Sequence, residues 1–281
     1  MNSDCYAVVG NPIGHSLSPR IHALFAEQTR QDLVYEARLS DPEHFARDVR
    51  AWFGNGLRGL NVTVPFKEDA FRLVDLHTQR AERAGAVNTI WAEADGRLTG
   101  DNTDGTGFLR DLTGRLGVDP ARNSILILGA GGAARGLLEP LLRGRPARMV
   151  VANRTRAKAE TLVAAFADLA GDAALSSSGL DDIPPGPYDL VVNATAAGLS
   201  ASRPELPAGL LAPSSALAYD LVYGPGARPF LDWAREQGAE QVSDGLGMLV
   251  EQAAEAFAIW RGARPDTRPV FETLRRDIVE A

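Results

Sequence analysis

Residues 124–134 read SILILGAGGAA, an apolar run followed at once by a glycine-rich turn, and this stretch decides the fold. The apolar run predicts a buried β-strand, and the pattern from Ala133 to Leu142 predicts a helix directly after the turn. A dinucleotide-binding turn needs small residues for its tight bend and backbone N–H groups at a helix N-terminus to hold a pyrophosphate. Ala134 takes the place of the last glycine of that motif. The stretch therefore predicts a dinucleotide-binding domain.

Strand and helix patterns continue to alternate after this turn. Further apolar strands are predicted at RMVVAN (148–153), YDLVVNAT (188–195) and LAYDLVY (217–223), with a helix from Thr155 to about Asp168. Segments 176–186 and 200–215 are rich in Ser, Pro and Gly and are predicted as loops. Regular alternation of this kind is typical of a doubly wound parallel sheet, and we expect an α/β, Rossmann-like domain.

The first hundred residues predict a second α/β layer structure. Short β-like runs (YAVVG, LVYEARL, GLNVTV and AVNTIWAE) alternate with amphipathic helical patterns. Ser18 is predicted as the N-cap of the first helix, with Pro19 at its first position, and Asp41-Pro42 is predicted to start the next helix in the same way. Asp95-Gly96 is a hairpin signal.

Two more helices are predicted after Gly247, the last of them near 268–279. Their periodicity alone leaves open whether they extend the nucleotide domain or return to the first domain. At 281 residues the chain is long enough for two domains that each bury a core.

Charge and cysteine content narrow the class of protein. A net charge of −7 argues against nucleic-acid and anionic-membrane partners, which normally require a basic surface. Cys5 is the single cysteine, so no intramolecular disulfide can form, and the N-terminus MNSDCYAVVG lacks the pattern of a signal peptide. No metal-ligand spacing is found. We expect a cytoplasmic enzyme without a metal.

Lys67 and Asp104 are the candidate catalytic residues. Lys67 lies in the first turn of a predicted helix that ends near Val74. The helix dipole disfavours a cation in the first turn by roughly 0.3–1 kcal/mol, so a lysine at this position suggests a functional role. A lysine and a carboxylate sharing one site could position a substrate hydroxyl and transfer its proton. A solvated lysine and an N-capping aspartate remain the alternatives.

The residues after the second strand of the nucleotide domain favour NADP over NAD. An NAD enzyme usually carries an acid there for the ribose 2′-hydroxyl, whereas this chain reads NRTRAK at 153–158. An acid would repel a 2′-phosphate, and Arg154 would bind one.

Taken together, these residues resemble the shikimate dehydrogenase family over nearly the whole chain. The motifs GNPIGHSLSP (10–19), NVTVPFK (61–67), AGAVNT (84–89), GDNTDG (100–105), GAGGAA (129–134), NRT (153–155), NAT (193–195) and DGLGMLVEQA (244–253) occur in the family's order and spacing. The resemblance implies reversible hydride transfer between NADPH and the carbonyl of 3-dehydroshikimate, giving shikimate, in aromatic amino-acid biosynthesis.

The resemblance also implies roles for individual positions. Lys67 would be the catalytic acid/base, with Asp104 beside it. The substrate would be bound by Ser16, Ser18, Thr63, Asn88, Asp104 and Gln252, with Tyr223 nearby. NADP would be bound by Gly129, Ala130, Gly131, Gly132, Ala133, Asn153, Arg154, Thr155, Arg156, Ala157, Lys158, Leu221 and Gly245. Gln79 stands where some relatives have an acid near the cofactor, and it is left out of the site.

Family architecture further implies a substrate-binding domain of residues 1–103, completed by 246–281, and an NADP-binding domain of residues 104–245. A quinate or aminoshikimate dehydrogenase paralogue is the nearest alternative activity. A non-catalytic ligand sensor is an alternative of a different class. Such a protein could lose Lys67 or Asp104, and the presence of both residues in this chain argues against it. The sequence leaves monomer and homodimer as alternatives.

Overall fold

The computed structural model describes residues 3–195 and 203–280. The chain divides into two units: the first comprises Met1–Gly107 and Leu249–Ala281, and the second comprises Phe108–Met248. The positions Ala196 and Ala197, which follow the NAT motif, lie outside the described residues.

The first unit contains a six-stranded mixed sheet. Its strands are β1 (Asp4–Gly10), β2 (Leu33–Leu39), β3 (Leu57–Val62), β4 (Leu76–His77), β5 (Thr89–Ala92) and β6 (Leu98–Asp101). Their order in the sheet is β2-β1-β3-β5-β6-β4. Strand β5 runs antiparallel to both of its neighbours, β3 and β6, whereas the other pairs are parallel. The β5–β6 hairpin predicted from Asp95-Gly96 is confirmed, with Gly96 at a φ of 84°.

Four helices connect these strands: α1 (Ser18–Thr29), α2 (Phe45–Gly54), α3 (Lys67–Leu73) and α4 (Gln79–Ala84). The predicted N-cap of α1 is wrong, because Leu17 occupies the cap and Ser18 is the first helical residue. Ser16 Oγ instead accepts a hydrogen bond from the Ser18 N–H at 3.3 Å. Helix α2 starts at Phe45, three residues beyond Pro42, since Asp41–His44 forms a turn in which the Asp41 carbonyl accepts the His44 N–H at 2.9 Å.

The second unit contains a six-stranded parallel sheet. Helix α5 (Asp104–Arg110) and a π-helical turn, Asp111–Arg115, lead into it. Its strands are β7 (Ser124–Leu128), β8 (Arg148–Asn153), β9 (Ala174–Gly179), β10 (Leu190–Asn193), β11 (Leu217–Asp220) and β12 (Gln241–Ser243). The order β12-β11-β10-β7-β8-β9 is the strand order of a doubly wound dinucleotide-binding fold, with the chain reversing direction between β7 and β10. The α/β fold prediction is confirmed.

Helices α6 (Gly132–Arg143), α7 (Arg156–Ala165) and α8 (Arg228–Glu236) belong to this unit. Buried leucines of α6 and apolar residues of β7 and β8 share one hydrophobic core, which explains the nearly continuous apolar runs of these strands. The loop predicted at 176–186 is wrong in its first part, because residues 174–179 form β9. Among the described strands β9 pairs only with β8, at the edge of the sheet, so serines are tolerated in it.

The last two helices are α9 (Leu246–Arg261) and α10 (Thr267–Glu280). From Leu249 onward they belong to the first unit. Trp260 of α9 lies against Gly59 of β3 so closely that a Cβ on Gly59 would lie 2.5 Å from Trp260 Cε2. A glycine is therefore required where the helix packs on the strand.

His22 of α1 lies in an aromatic cluster of the first unit. Its ring stacks on Tyr35 with 4.0 Å between centroids and also contacts Phe25, Phe257 and Trp260. Burial lowers the pKa of His22 to about 3, against a hydrogen bond with Asn61 that raises it. The folded protein therefore holds this ring in its neutral form.

We predict that replacing His22 with Phe reduces the loss of stability in acid. In the unfolded chain His22 takes up a proton below pH 6.5, whereas in the folded chain it does so only near pH 3. Acid therefore favours the unfolded state, and the free energy of unfolding falls as the pH drops below 6.5. This difference amounts to about 4–5 kcal/mol by pH 3. Urea unfolding between pH 7 and pH 4 measures it, with the exposed His44→Phe as the matched control. Equal acid slopes for the two variants would contradict the prediction.

Candidate functional site

Lys67 and Asp104 form an ion pair in the first unit. Lys67 Nζ donates to Asp104 Oδ2 at 2.5 Å, and the side chains are only 14% and 4% exposed. Lys67 is the first residue of α3 and Asp104 the first residue of α5. The two candidate catalytic residues are therefore brought together, although 37 positions separate them in the chain.

Asn88 holds the carboxylate of this pair in place. Its Nδ2 group lies 2.9 Å from Asp104 Oδ1, 2.9 Å from Thr103 Oγ1 and 3.2 Å from Gln252 Oε1. Its Oδ1 atom accepts the Thr103 N–H at 2.8 Å. Asn88 thus links the predicted residues Lys67, Asp104 and Gln252 in one buried hydrogen-bond network.

The sheet topology explains why these residues meet. Strand β3 ends five residues before Lys67 and β6 ends three residues before Asp104, while β5, which lies between them in the sheet, starts directly after Asn88. Because β5 is antiparallel to both neighbours, its beginning lies at the edge where they end. Two backbone bonds then fix the ends, from Val87 N–H to the Lys67 carbonyl at 2.9 Å and from Asn88 N–H to the Asp101 carbonyl at 2.9 Å.

Gln252 enters this network from α9. Its Nε2 group donates to the Leu249 carbonyl at 2.8 Å, which leaves Oε1 directed at Asn88. Helices α5 and α9 approach closely here, because a Cβ on Gly107 would lie 2.6 Å from the Gln252 backbone nitrogen. A glycine at 107 is therefore what allows α9 to approach α5 closely enough for Gln252 to reach Asn88.

Sequence reasoning missed a buried polar relay behind Asn88. Tyr35 Oη donates to Asn61 Oδ1 at 2.7 Å, and Asn61 Nδ2 donates to the Asn88 carbonyl and to Thr89 Oγ1, both at 3.1 Å. Burial raises the pKa of Tyr35 far above its usual value, against a hydrogen bond with Ser18 that lowers it. Asn61 stands in the quoted motif NVTVPFK, so a polar residue at a predicted buried strand position was the available signal.

The remaining predicted substrate residues lie in three places. Ser18 is buried and Ser16 half-buried at the start of α1. Thr63 follows β3, and its N–H donates to the Val9 carbonyl at 2.9 Å. Tyr223 belongs to the second unit, directly before a 3₁₀ turn at 224–227.

The glycine turn of the second unit has the geometry of a dinucleotide-binding turn. Gly129 has a φ of 111°, and a Cβ there would lie 2.9 Å from the Ala194 carbonyl oxygen, so only glycine fits. Gly131 caps α6 without a side-chain hydrogen bond, and apart from its chain neighbours no described residue comes within 4 Å of the place where its Cβ would be. The open helix N-terminus fits a pyrophosphate.

Residues 153–158 follow β8 at the carboxyl edge of the sheet. Arg154 and Lys158 are exposed, and no ion pair joins either of them to another described residue. Arg156 differs, because its guanidinium pairs with Asp182 and lies 3.7 Å from Glu160. Asn153 Nδ2 donates to the Thr155 carbonyl at 2.9 Å and so shapes the turn.

Leu221 and Gly245 are neighbours beyond the ends of β11 and β12. The Gly245 N–H donates to the Val222 carbonyl at 3.0 Å, and a Cβ on Gly245 would overlap the Leu221 carbonyl. The Leu221 N–H donates to the Asn193 carbonyl at 2.9 Å. Both predicted cofactor residues therefore lie at the carboxyl edge of the same parallel sheet as the glycine turn.

In the described residues no group of three or more His, Cys, Asp or Glu side chains could hold a metal ion. No helix among residues 3–195 and 203–280 is long and apolar enough to cross a membrane. The chemistry available to the first unit is a lysine proton donor beside a carboxylate acceptor, and that of the second is a dinucleotide-binding turn.

Three family models match the chain. The shikimate dehydrogenase substrate binding domain matches residues 8–90, shikimate / quinate 5-dehydrogenase matches 114–203, and the shikimate 5′-dehydrogenase C-terminal domain matches 245–275. A shikimate dehydrogenase (NADP(+)) of Methylococcus capsulatus is 55% identical over 98% of this chain and 97% of its own length. The chain belongs to the shikimate dehydrogenase family.

Solved structures agree with this assignment. An Ael1 enzyme from Pseudomonas putida superposes with a TM-score of 0.87 at 47% identity, covering 97% of this chain and 98% of its own. Shikimate 5-dehydrogenase from Thermus thermophilus, in complex with NADP(H) and shikimate, superposes with a TM-score of 0.84 at 37% identity, covering 97% and 99%.

We predict that Gly107→Ala destabilises the first unit. The added Cβ would meet the Gln252 backbone at 2.6–2.9 Å, and relieving such an overlap between two helices costs about 1–3 kcal/mol. Gly114→Ala is the matched control, since its added Cβ would meet no described residue within 4 Å outside its own helical turn. Chemical unfolding of both variants measures the difference, and equal stabilities would show that α5 and α9 can separate at no cost.

Proposed function

We propose that this protein catalyses the reversible NADPH-dependent reduction of 3-dehydroshikimate to shikimate, in the shikimate pathway to the aromatic amino acids. The Lys67–Asp104 pair carries the proposal, because a buried lysine at 2.5 Å from a carboxylate supplies the proton donor that ketone reduction needs. Relatives named NADP-dependent shikimate dehydrogenases support the substrate and the cofactor.

Lys67 is proposed as the acid/base. Bound NADPH supplies the hydride that reaches the carbonyl carbon. The Lys67 ammonium gives one proton to the carbonyl oxygen as the negative charge develops there, and it is left as a neutral amine. In the reverse direction this amine takes the proton from the substrate hydroxyl.

Asp104 and Asn88 are proposed to orient both the lysine and the substrate. Asp104 Oδ2 holds the Lys67 ammonium, while Asn88 Nδ2 holds Oδ1 and prevents the carboxylate from rotating. The carboxylate keeps lone pairs free to accept a hydrogen bond from a ring hydroxyl.

Four of the other proposed substrate ligands, Ser16, Ser18, Thr63 and Asn88, are short polar side chains, which suit a hydroxylated ring acid because they lose little conformational freedom on binding. Gln252 is longer, but its amide is already held by the Leu249 carbonyl. Tyr223 of the second unit completes the set. We propose the domain roles accordingly: residues 1–103 with 246–281 bind the substrate, and residues 104–245 bind NADP.

Quinate dehydrogenation by a paralogue and ligand sensing without catalysis are the competing functions. Absorbance assays with shikimate or quinate, each paired with NADP or NAD, separate them. We expect the highest kcat/KM for shikimate with NADP. A preference for quinate would favour the paralogue, and absence of turnover with all four pairs would favour the sensor.

We predict that Lys67→Ala lowers kcat by about 10²–10⁴-fold, since a positioned acid/base is lost. Lys67→Arg is the informative companion, because a guanidinium keeps the positive charge but does not release its proton near neutral pH. We expect kcat of Lys67→Arg to fall by a similar factor, with its shikimate binding close to that of the parent. Retained turnover in Lys67→Arg would show that the charge, and not proton transfer, is what the site requires. Thermal unfolding confirms that both variants are folded.

We predict that Arg154→Ala weakens NADP binding and changes NAD binding little. A charge-assisted hydrogen bond to the 2′-phosphate contributes about 1.5–3 kcal/mol, and NAD lacks that phosphate. Arg156→Ala is the matched control with a smaller expected effect, because Asp182 and Glu160 already engage its guanidinium. Michaelis constants for both cofactors decide the matter, and equal changes for NADP and NAD in Arg154→Ala would refute the assignment.

A cytoplasmic location is proposed as well, supported by a chain whose single cysteine requires no oxidising compartment. Monomer and homodimer stay the two alternatives, and sedimentation of the purified protein distinguishes them.

A further inference from the structure

Three neighbouring strands of the second unit end in buried polar side chains. Asn193 closes β10 and Asp220 closes β11, while Asp244 follows the end of β12. Asn193 and Asp220 are fully buried and Asp244 is 5% exposed. They lie at the carboxyl edge of the parallel sheet, where ligands of doubly wound folds bind.

These side chains hold the backbone of the turn at 221–224. Asp220 Oδ1 accepts the Val222 N–H at 2.8 Å, and Asp244 Oδ2 accepts the Gly224 N–H at 3.1 Å. The Val222 carbonyl in turn accepts the Gly245 N–H at 3.0 Å. The turn is therefore fixed through its backbone from both flanking strands.

The Asn193–Asp220 pair has a defined direction of hydrogen bonding. Asn193 Oδ1 accepts the Thr195 N–H at 3.2 Å and the Thr195 hydroxyl at 2.7 Å, which sets the orientation of its amide. Its Nδ2 group must then donate, and it does so to Asp220 Oδ2 at 2.8 Å. Each acceptor of Asp220 thus has one specific donor.

The carboxylate is retained at an energetic cost. Burial, together with the charge of Asp244, raises the pKa of Asp220 to about 6, against its hydrogen bonds from Val222 and Asn193, which lower it. A neutral side chain would avoid this cost. The carboxylate therefore serves as an acceptor of two hydrogen bonds, a role that packing alone would not require.

We propose that the Asn193–Asp220 pair is a positioning element for the part of the NADP site formed by Leu221 and Gly245. It sets the turn at Leu221, and Leu221 packs directly against Gly245, so the pair aligns both residues through the backbone without touching the cofactor itself. This inference rests on the proposed cofactor roles of Leu221 and Gly245.

Exchange of the two side-chain types tests the proposal. In Asp220→Asn the single amide oxygen cannot accept from both Val222 N–H and Asn193 Nδ2, so the new amide nitrogen faces one of these donors. In Asn193→Asp the new carboxylate faces that of Asp220. The double variant, Asn193→Asp with Asp220→Asn, restores one donor opposite one acceptor and keeps the net charge of the parent. Asp232→Asn, on the exposed face of α8, is the matched control.

We expect each single variant to raise the NADP KM and the dissociation constant for NADPH, measured by its fluorescence, by about tenfold. The shikimate KM should change little, and the double variant should recover most of the loss. Thermal unfolding confirms that all variants are folded.

The proposal is overturned by single variants that bind NADPH like the parent, or by a folded double variant that binds no better than the single variants. A lowered melting temperature with unchanged NADPH binding shows a structural role only and also overturns it. The proposed function has its own test in the parent protein, because a parent without turnover on any substrate refutes that function whatever the variants do.

Discussion

The buried ion pair between Lys67 and Asp104 is the constraint on which the first unit depends. Removing two charges from water costs several kcal/mol per ion, and mutual attraction offsets this only where geometry is good and the remaining polar atoms are satisfied. Asn88 meets the second condition by donating to Asp104 Oδ1 at 2.9 Å. The antiparallel course of β5 is what brings Asn88 to the pair, so the sheet topology and the charge pair support each other.

The return of the chain in α9 completes this arrangement. Arg80 of α4 pairs with Asp101 at 2.5 Å and with Glu255 of α9 at 3.1 Å, which ties the helix to the strand that ends before Asp104. Gly107 lets α9 approach α5 until backbone and side chain touch. The position of Gln252 thus depends on the ion pairs of Arg80 and on the absence of a side chain at Gly107. A residue 148 positions beyond Asp104 can act in the same network only because these contacts fix the helix.

The sequence predicted those features that depend on local chemistry. The apolar runs, the glycine turn before α6 and the hairpin at Asp95-Gly96 are local patterns, and the structure confirms them. Strand β9 was not predicted because its three serines give no alternating apolar pattern. Strand β12 was not predicted because it is only three residues long. The Ser18 cap failed because Pro19 occupies the second helical position, which places the cap one residue earlier. The Tyr35–Asn61 relay depends on contacts between strands, which no local pattern specifies.

Two buried titratable groups give the units opposite responses to acid. His22 of the first unit is held neutral with its pKa lowered to about 3, so acid withdraws stability there. Asp220 of the second unit has its pKa raised to about 6 from 3.8, so its contribution is present in acid and lost as the pH rises through 6. That loss amounts to about 3 kcal/mol at neutral pH. Burial is the largest cause of both shifts, and the charge of Asp244 adds to the shift of Asp220. Lys67 and Asp104, in contrast, are buried together as a pair of opposite charges. The charge of Lys67, which the proposed chemistry needs, is thus paired with Asp104 inside the fold. Asp220, whose two oxygens accept hydrogen bonds from the turn and from Asn193, is kept at a cost in stability.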